Sequence, residues 1–434
     1  MAHTDTATLP LDASSSRALA ENELEYALVS GDGDDFVPYL RSVVRGFLDE
    51  EPTDEVVETA RRAMRARRLI GVFDRAGEAP DAPVGTIESW PSELTVSPER
   101  TLPLWSISAV TVAPTHRRRG IARAMLTGEL RTAAAAGFAV AGLTVTEATI
   151  YGRWGFSPAA WASDVVIDSR RAAFTGPVAS GRLDFVARET LPVRLETLHE
   201  RIRVQRPGSV RGWEGRWRGM AGLNPDDKEA RKVRAVAYTD AAGEERGILV
   251  YTLAEKDGSA FTDHELRVRI LLADDDEAVA ALWRFALEHD LVSRVTASLQ
   301  PAVPPVQWMV SDRRAVTATL TDHHWLRVLD VPRALAARTY AAALTTTIRV
   351  EDPLGFADGT WSIRIDDEGS AAVVPVDDEA DVTLSVNALG SLLLGGVRAT
   401  ELAVAGLVRG GPDALAALDA AFAPAATPLL DIWY

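Results

Sequence analysis

The run VTVAPTHRRRGIARAML at residues 110–126 constrains the fold more than any other stretch of the chain. Apolar residues up to Val112 predict a strand, and Ala113-Pro114-Thr115-His116 breaks it. From Ile121 onward apolar residues recur with the helical period. Arg117-Arg118-Arg119-Gly120 lies between strand and helix. A strand that feeds a helix through a cationic glycine turn makes an anion cradle. The first N–H groups of a helix have no partner inside it. The helix dipole favours an anion there, and arginines add charge-assisted hydrogen bonds. Gly120 lets the backbone approach a phosphate with no side chain between.

Two common phosphate loops are absent. A dinucleotide fold needs G-x-G-x-x-G, and a P-loop needs G-x-x-x-x-G-K followed by Ser or Thr; neither occurs. A solvated surface would account for three arginines, but not for the strand before them and the helix after. The pattern that remains, Arg-x-x-Gly-x-Ala, is present from Arg117 to Ala122. It resembles the coenzyme A motif of the GCN5-related N-acetyltransferases.

The chain has 434 residues, too many for one ordinary domain. Helices are expected at Phe36–Leu48 and Asp54–Arg68, and strands at Arg68–Asp74, Val84–Trp90, Trp105–Val112 and Val140–Val145. A long helix at Ile121–Ala136 closes on Gly137, a C′ glycine. From about Val165 a similar order returns: a strand at Val165–Ile167, a helix near Val193–Gln205, strands near Val233–Thr239, Arg246–Leu253 and Glu265–Leu272, and a helix at Asp274–Asp290. From about Trp325 four strands and two helices follow. The divisions are a disordered extension over 1–22, a first unit over 23–164, a second over 165–320 and a third over 321–434.

THRRRGIARAM followed by IYGRWGF resembles the Eis ("enhanced intracellular survival") family of aminoglycoside and amine acetyltransferases. Residues 358–394, DGTWSIRIDDEG through ADVTLSVNALGSLLLGG, resemble the sterol-carrier-protein-like domain that ends those proteins. The resemblance covers the chain after residue 22. It implies a mixed α/β (α+β) fold with two tandem acetyltransferase units and a carrier-like third unit. It also implies acetyl-CoA as co-substrate and a homohexamer built as a trimer of dimers.

Tyr151 sits just past a strand, between glycines in a turn that can place its phenol beside a bound thioester; a buried core tyrosine is the alternative. A free phenol titrates near ~10 and a thiol near ~8.5, so a neutral phenol can protonate a departing thiolate. The resemblance assigns Tyr151 as general acid. It assigns the general base to the α-carboxylate of the last residue, here Tyr434. A free α-carboxyl titrates near ~3.5, so this base needs burial or a water relay. One family member ends in phenylalanine, and tyrosine keeps both the aromatic ring and the carboxylate. In such a fold Val110, Thr111 and Val112 offer backbone groups to the pantetheine arm. Arg117, Arg118, Arg119, Gly120, Ile121, Ala122 and Arg123 surround the pyrophosphate, and Thr146 and Glu147 flank the thioester. Phe47, Asp49, Ser108 and Trp433 form the amine pocket; for Asp49, in an acidic run, helix-end solvation is an equal account. His116 reads as a structural residue of the cradle loop.

The second unit has Asp274-Asp275-Asp276 where the first has its arginines. Acids there cap a helix and repel a pyrophosphate, so this unit keeps the fold without coenzyme A. The third unit could take lipid, although its apolar helices are equally a packed core; on either account it delivers Tyr434.

The net charge of −16 opposes nucleic acid as partner and suits a cationic amine, although solubility explains it as well. With no cysteine there is no disulfide or thiolate metal site, and no metal is expected. No membrane span and no secretory signal are present, which fits the cytoplasm. The leading expectation is acetyl-CoA-dependent N-acetylation of cationic small molecules such as aminoglycosides. A protein lysine or N-terminal amine is a second acceptor class. A lipid-binding or regulatory module with a vestigial fold is the non-enzymatic alternative.

Overall fold

The computed structural model describes residues 6–255 and 263–434. Twelve of its strands form one sheet: β1 (Glu25–Val29), β2 (Arg68–Phe73), β3 (Gly85–Ser97), β4 (Arg100–Val112), β5 (Val140–Thr144), β6 (Ser157–Asp168), β7 (Arg182–Phe185), β8 (Arg234–Thr239), β9 (Glu245–Glu255), β10 (His264–Ala273), β11 (Val292–Gln300) and β12 (Val316–Val328). Five more form a second sheet: β13 (Leu344–Glu351), β14 (Gly359–Ile365), β15 (Ala371–Pro375), β16 (Val382–Ser385) and β17 (Val408–Gly410). The helices are α1 (Ala13–Ala20), α2 (Phe36–Gly46), α3 (Asp54–Met64), α4 (Ile121–Ala135), α5 (Ala148–Tyr151), α6 (Leu191–Arg203), α7 (Glu214–Met220), α8 (Asp276–Leu287), α9 (Val331–Ala336), α10 (Val386–Leu392), α11 (Ala399–Val404) and α12 (Pro412–Phe422).

The large sheet runs β1-β2-β3-β4-β5-β12-β6-β11-β10-β9-β8-β7. Its centre holds a strand exchange. β12, which follows the other strands of the second unit, lies antiparallel to β5 of the first, and β6, which follows the other strands of the first unit, lies antiparallel to β11 of the second. β6 and β12 pair with each other along most of their length. The expected boundaries at 164/165 and 320/321 therefore both fall inside continuous strands. Composition marks where patterns restart along the chain. It carries no signal for which unit a buried strand joins.

A second correction concerns the N-terminus. Residues 13–20, expected to be disordered, form a capped helix that buries Leu19 against α4. Asp12 accepts from Ser15 N at 2.8 Å and from Arg131 at 2.9 Å, and the Ser15 hydroxyl donates to Ala124 O at 2.7 Å. Arg68, fully buried, pairs with Glu129 at 3.1 Å and donates to the carbonyls of Leu9 and Pro10. These polar groups come from distant parts of the chain, so the low local hydrophobicity gave no sign of them.

The third unit shares a core with the large sheet. Ile348, Val350, Leu389, Leu392 and Leu393 belong to the same buried cluster as Leu104, Val140, Leu326 and Val328. At the contact the Cβ of any residue replacing Gly390 would lie 2.7 Å from Leu326 O, so the backbone of α10 approaches the backbone of β12.

Candidate active site

β4 and β5 are parallel partners over Leu104↔Val140, Trp105↔Ala141 and Ser106↔Gly142, and separate beyond. β4 continues on β3 with one extra residue, because Glu88 faces Ser108 while Thr86 faces Thr111. Ala109 takes up this bulge at φ +51°, and the Thr86 hydroxyl holds its carbonyl at 2.8 Å. A bulge bends its strand, and here it opens a fork. The β5-side backbone groups of Val110, Thr111 and Val112 face the fork without a strand partner.

At the mouth of the fork Ala113 N donates to Val84 O at 2.7 Å and Pro114–His116 form a 3-10 turn. Gly120 then caps α4 at φ +78° with open space around its Cβ position and no side-chain cap. The first-turn N–H groups of Ile121, Ala122 and Arg123 are left for an anion. Arg117, Arg118 and Arg123 are exposed and make no ion pair among the described residues. Arg119 differs from its neighbours. Its guanidinium reaches Asp74 at 3.5 Å and Asn22 O at 2.7 Å, so this side chain fastens the loop. His116 does the same, with Nε2 3.0 Å from Asp74 and Nδ1 2.8 Å from the Thr115 hydroxyl. The His116 hydrogen bond heads the contacts that hold the Asp74 carboxyl below its usual range. An uncapped helix start, a free glycine and unpaired arginines fit a pyrophosphate. Among the described residues no group of three or more acids or histidines is placed to hold a metal.

Tyr151 ends the short helix α5 and is half-buried, its ring edge-on to Phe156 at 6.3 Å. Burial first, and then Glu147, pushes its phenol pKa up, so the phenol is a neutral donor. Its turn is braced from the rest of the chain. Asn387 donates to both Gly152 O and Phe156 O at 2.9 Å, and Arg327 Nε donates to Trp154 O at 2.7 Å. Gly155, at φ +84°, gives Arg327 room; a Cβ there would sit 2.5 Å from Nε. Arg327 is fully buried and meets both oxygens of Asp352 at 2.8 and 2.7 Å. Thr146 and Glu147 are exposed at the end of β5.

Tyr434 reaches the fork from the far end of the chain. Its terminal carbonyl oxygen accepts from the Thr144 hydroxyl at 2.6 Å. Its phenol oxygen lies 2.7 Å from His324 Nε2. His324 Nδ1 is 3.0 Å from Gly208 O, which can only accept, so Nδ1 carries the proton and Nε2 accepts from the phenol. His324 stays neutral, since burial and then His323 push its pKa down to about 3. Trp90 meets the Tyr434 ring edge-on at 5.8 Å. Cross-strand register places Glu88 and Trp90, Ser106 and Ser108, Gly142 and Thr144, and His324 on one sheet face.

Sequence reasoning passed over Glu88, Arg67, Thr144 and His324. Glu88 is buried with one oxygen unpartnered, and Arg67 bonds the other at 2.7 Å while stacking over Trp90 at 4.0 Å. Burial raises the Glu88 carboxyl and Arg67 opposes it. The legible signal was a lone acid inside an apolar strand, and a His-His pair inside another. Of the expected amine-pocket residues, Ser108 lies on the site face. Phe47 and Asp49 follow the end of α2 and are exposed. Asp49 lines a cavity of about 740 Å³ between α2 and residues 79–82, whereas Trp433 lines a different one in the second unit. The structure does not bring these two together in one cavity.

Models of the acetyltransferase (GNAT) domain match residues 30–159 and 208–331, and a sterol carrier protein domain model matches 331–431. The N-acetyltransferase Eis of Mycobacterium tuberculosis is 34% identical over 369 residues, covering 82% of this chain and 86% of that protein. An uncharacterized N-acetyltransferase of Streptomyces avermitilis is 33% identical over 379 residues, covering 86% of this chain and 89% of that protein. The crystal structure of Eis1 from Mycobacterium abscessus superposes with a TM-score of 0.79 at 29% identity, covering 95% of this chain and 100% of that one. A GCN5-related N-acetyltransferase from Anabaena variabilis shares the fold at 17% identity and a TM-score of 0.80. With two such domains, a carrier-like third and this degree of likeness, the chain belongs to the Eis family of GCN5-related N-acetyltransferases and is an enzyme that uses acetyl-CoA to acetylate amines.

Proposed function

We propose that the enzyme acetylates amines of small cationic molecules, aminoglycosides among them, with Tyr151 as general acid and the Tyr434 α-carboxylate as general base. The observation that carries this reading is the terminal oxygen of Tyr434 held by Thr144 at the open fork. In the reaction a nitrogen–carbon bond forms and the carbon–sulfur bond breaks. The proton of the attacking amine passes to the terminal carboxylate, directly or through one water. The departing thiolate takes a proton from the phenol of Tyr151. The Tyr151 phenol suits this role, because burial keeps it protonated until charge develops beside it. Arg117, Arg118, Arg123 and the start of α4 hold the pyrophosphate, and β4 residues Val110 to Val112 hold the pantetheine arm. The net charge of −16 draws in cations.

Release of thiol from acetyl-CoA, followed with kanamycin and with a lysine-containing peptide, tests the acceptor class. Turnover with kanamycin and little with the peptide is the expected result; the reverse preference contradicts it. The family resemblance extends the proposal to a homohexamer, which light scattering on the purified protein reads directly.

A further inference from the structure

The second unit contains its own fork. β10 and β11 are parallel partners from His264↔Val292 to Val268↔Ala297 and separate beyond. β10 also carries a bulge against β9, with Arg269 as the extra residue. This fork does not serve coenzyme A. Asp275 caps α8 through Ala278 N at 2.7 Å, and Asp274 is paired with Arg201 at 2.7 Å, where the first unit has its glycine and arginines. Yet the fork is not filled. It encloses a cavity of about 280 Å³, near the lower end of the roughly 300–1,000 Å³ of small-molecule sites.

The far wall is the C-terminal segment. Leu430 and Ile432 lie in the large core, with Tyr434 packed against it, whereas Leu429, Asp431 and Trp433 line the cavity. This is the two-residue alternation of an extended chain. Three guanidinium groups also line the cavity: Arg206, Arg216 and Arg269. Arg206 pairs with Asp431 at 3.3 Å, and Arg269 pairs with Asp227 at 2.8 Å. Arg216 makes no ion pair among the described residues, and its buried Nε has no hydrogen-bond partner. A buried cation without an anion is costly. The remaining walls are largely apolar, with Ile270, Trp283, Leu299 and Trp433 among them.

We infer that this cavity binds a small organic monoanion, a carboxylate with an apolar body, whose charged end pairs with Arg216. Three guanidiniums against two carboxylates leave one positive charge to neutralise, which sets the ligand's charge. The cavity volume and walls set its size and apolar character. A planar guanidinium with free donors receives a carboxylate in two parallel hydrogen bonds. Burial lowers the Arg216 pKa to about 10; Asp431, already paired with Arg206, opposes that shift and Arg269 adds to it.

Calorimetric titration of the full chain with benzoate, at saturating coenzyme A, tests the inference. Benzoate is expected to bind saturably, and benzamide, which has the same shape without the charge, at least about tenfold more weakly. Arg216→Met is expected to lose benzoate by at least about tenfold and to keep its coenzyme A affinity. Arg216→Lys, which keeps the charge and loses the planar fork, is expected to fall between. Absence of saturable binding, equal affinity for benzamide, or competition with coenzyme A overturns the inference. So does unchanged benzoate affinity in both Arg216 variants. If Arg216→Met fails to fold, the wild-type comparison and Arg216→Lys still decide.

Discussion

Gly142 is the position where one added carbon bears most directly on the proposed base. A Cβ there would lie 2.9 Å from the Tyr434 phenol oxygen, 3.0 Å from Leu104 Cδ1 and 3.1 Å from His324 Nε2. Three groups meet at that point, and two of them are bonded to each other. Leu104 and His324 are fully buried and held by the sheet. Tyr434 belongs to a chain end and has the most freedom to give way. Overpacking of this kind costs about 1–3 kcal/mol. Displacing the ring also breaks the hydrogen bond to His324, worth about 1 kcal/mol net. If the strain is relieved by moving Tyr434, the carboxylate leaves Thr144. Gly142→Ala should then lower kcat/KM in the thiol-release assay by roughly 5- to 150-fold with little change in coenzyme A affinity. Tyr434→Phe keeps the carboxylate and should remain active. In the Gly142→Ala background Tyr434→Phe removes the closest clash, so the double variant should regain part of the loss. A Gly142→Ala enzyme with wild-type turnover, or a double variant no better than Gly142→Ala alone, refutes the reasoning.

Three further outcomes follow from the same geometry. Tyr151→Phe should lower kcat by about 10²–10⁴ through loss of the acid, and steady-state kinetics with coenzyme A binding unchanged would identify the step. Asn387→Ala removes both amide hydrogen bonds to the Tyr151 turn, each worth about 1 kcal/mol net, and should lower kcat by roughly tenfold while the acetyl-CoA KM stays near its wild-type value. His324 has a folded pKa of about 3 against an ordinary 6.5, so the unfolded chain binds a proton that the folded chain refuses. Stability contributed by neutral His324 is therefore complete above 6.5 and falls as the pH drops toward about 3, approaching about 1.4 kcal/mol per pH unit. Urea unfolding at about pH 7 and about pH 5 reads that slope, and His324→Gln should flatten it.

Local chemistry was legible in the sequence wherever neighbours along the chain set the structure. Gly120 and Gly137 adopt positive φ at the two ends of α4, as a cradle glycine and a C′ glycine require. Helices α2, α4 and α6 and strands β2, β5, β8, β9 and β10 begin and end close to where periodicity places them. By contrast, β3 runs on to Ser97, β4 starts at Arg100 and β6 at Ser157, well outside the expected Val84–Trp90, Trp105–Val112 and Val165–Ile167. Structure decided by distant groups was not legible. The exchange of β6 and β12 depends on which strand edge each one meets, a choice made between residues far apart along the chain. The folding of α1 depends on Arg68, Glu129 and Arg131, each far along the chain. Arg119 looks like its neighbours in sequence, yet Asp74 and Asn22 O capture it. The braces on the Tyr151 turn, Arg327 and Asn387, lie more than a hundred residues beyond it.

The proposed base is the chain's own terminal carboxylate. Extending the protein by a short Gly-Ser segment after Tyr434 moves that carboxylate away from Thr144 and leaves every side chain in place. In the extended enzyme kcat/KM is expected to fall by at least about 100-fold, the scale of a lost general base, while coenzyme A binds with unchanged affinity. An extended enzyme that turns over at the wild-type rate contradicts the assignment and moves the search for a base to Glu88.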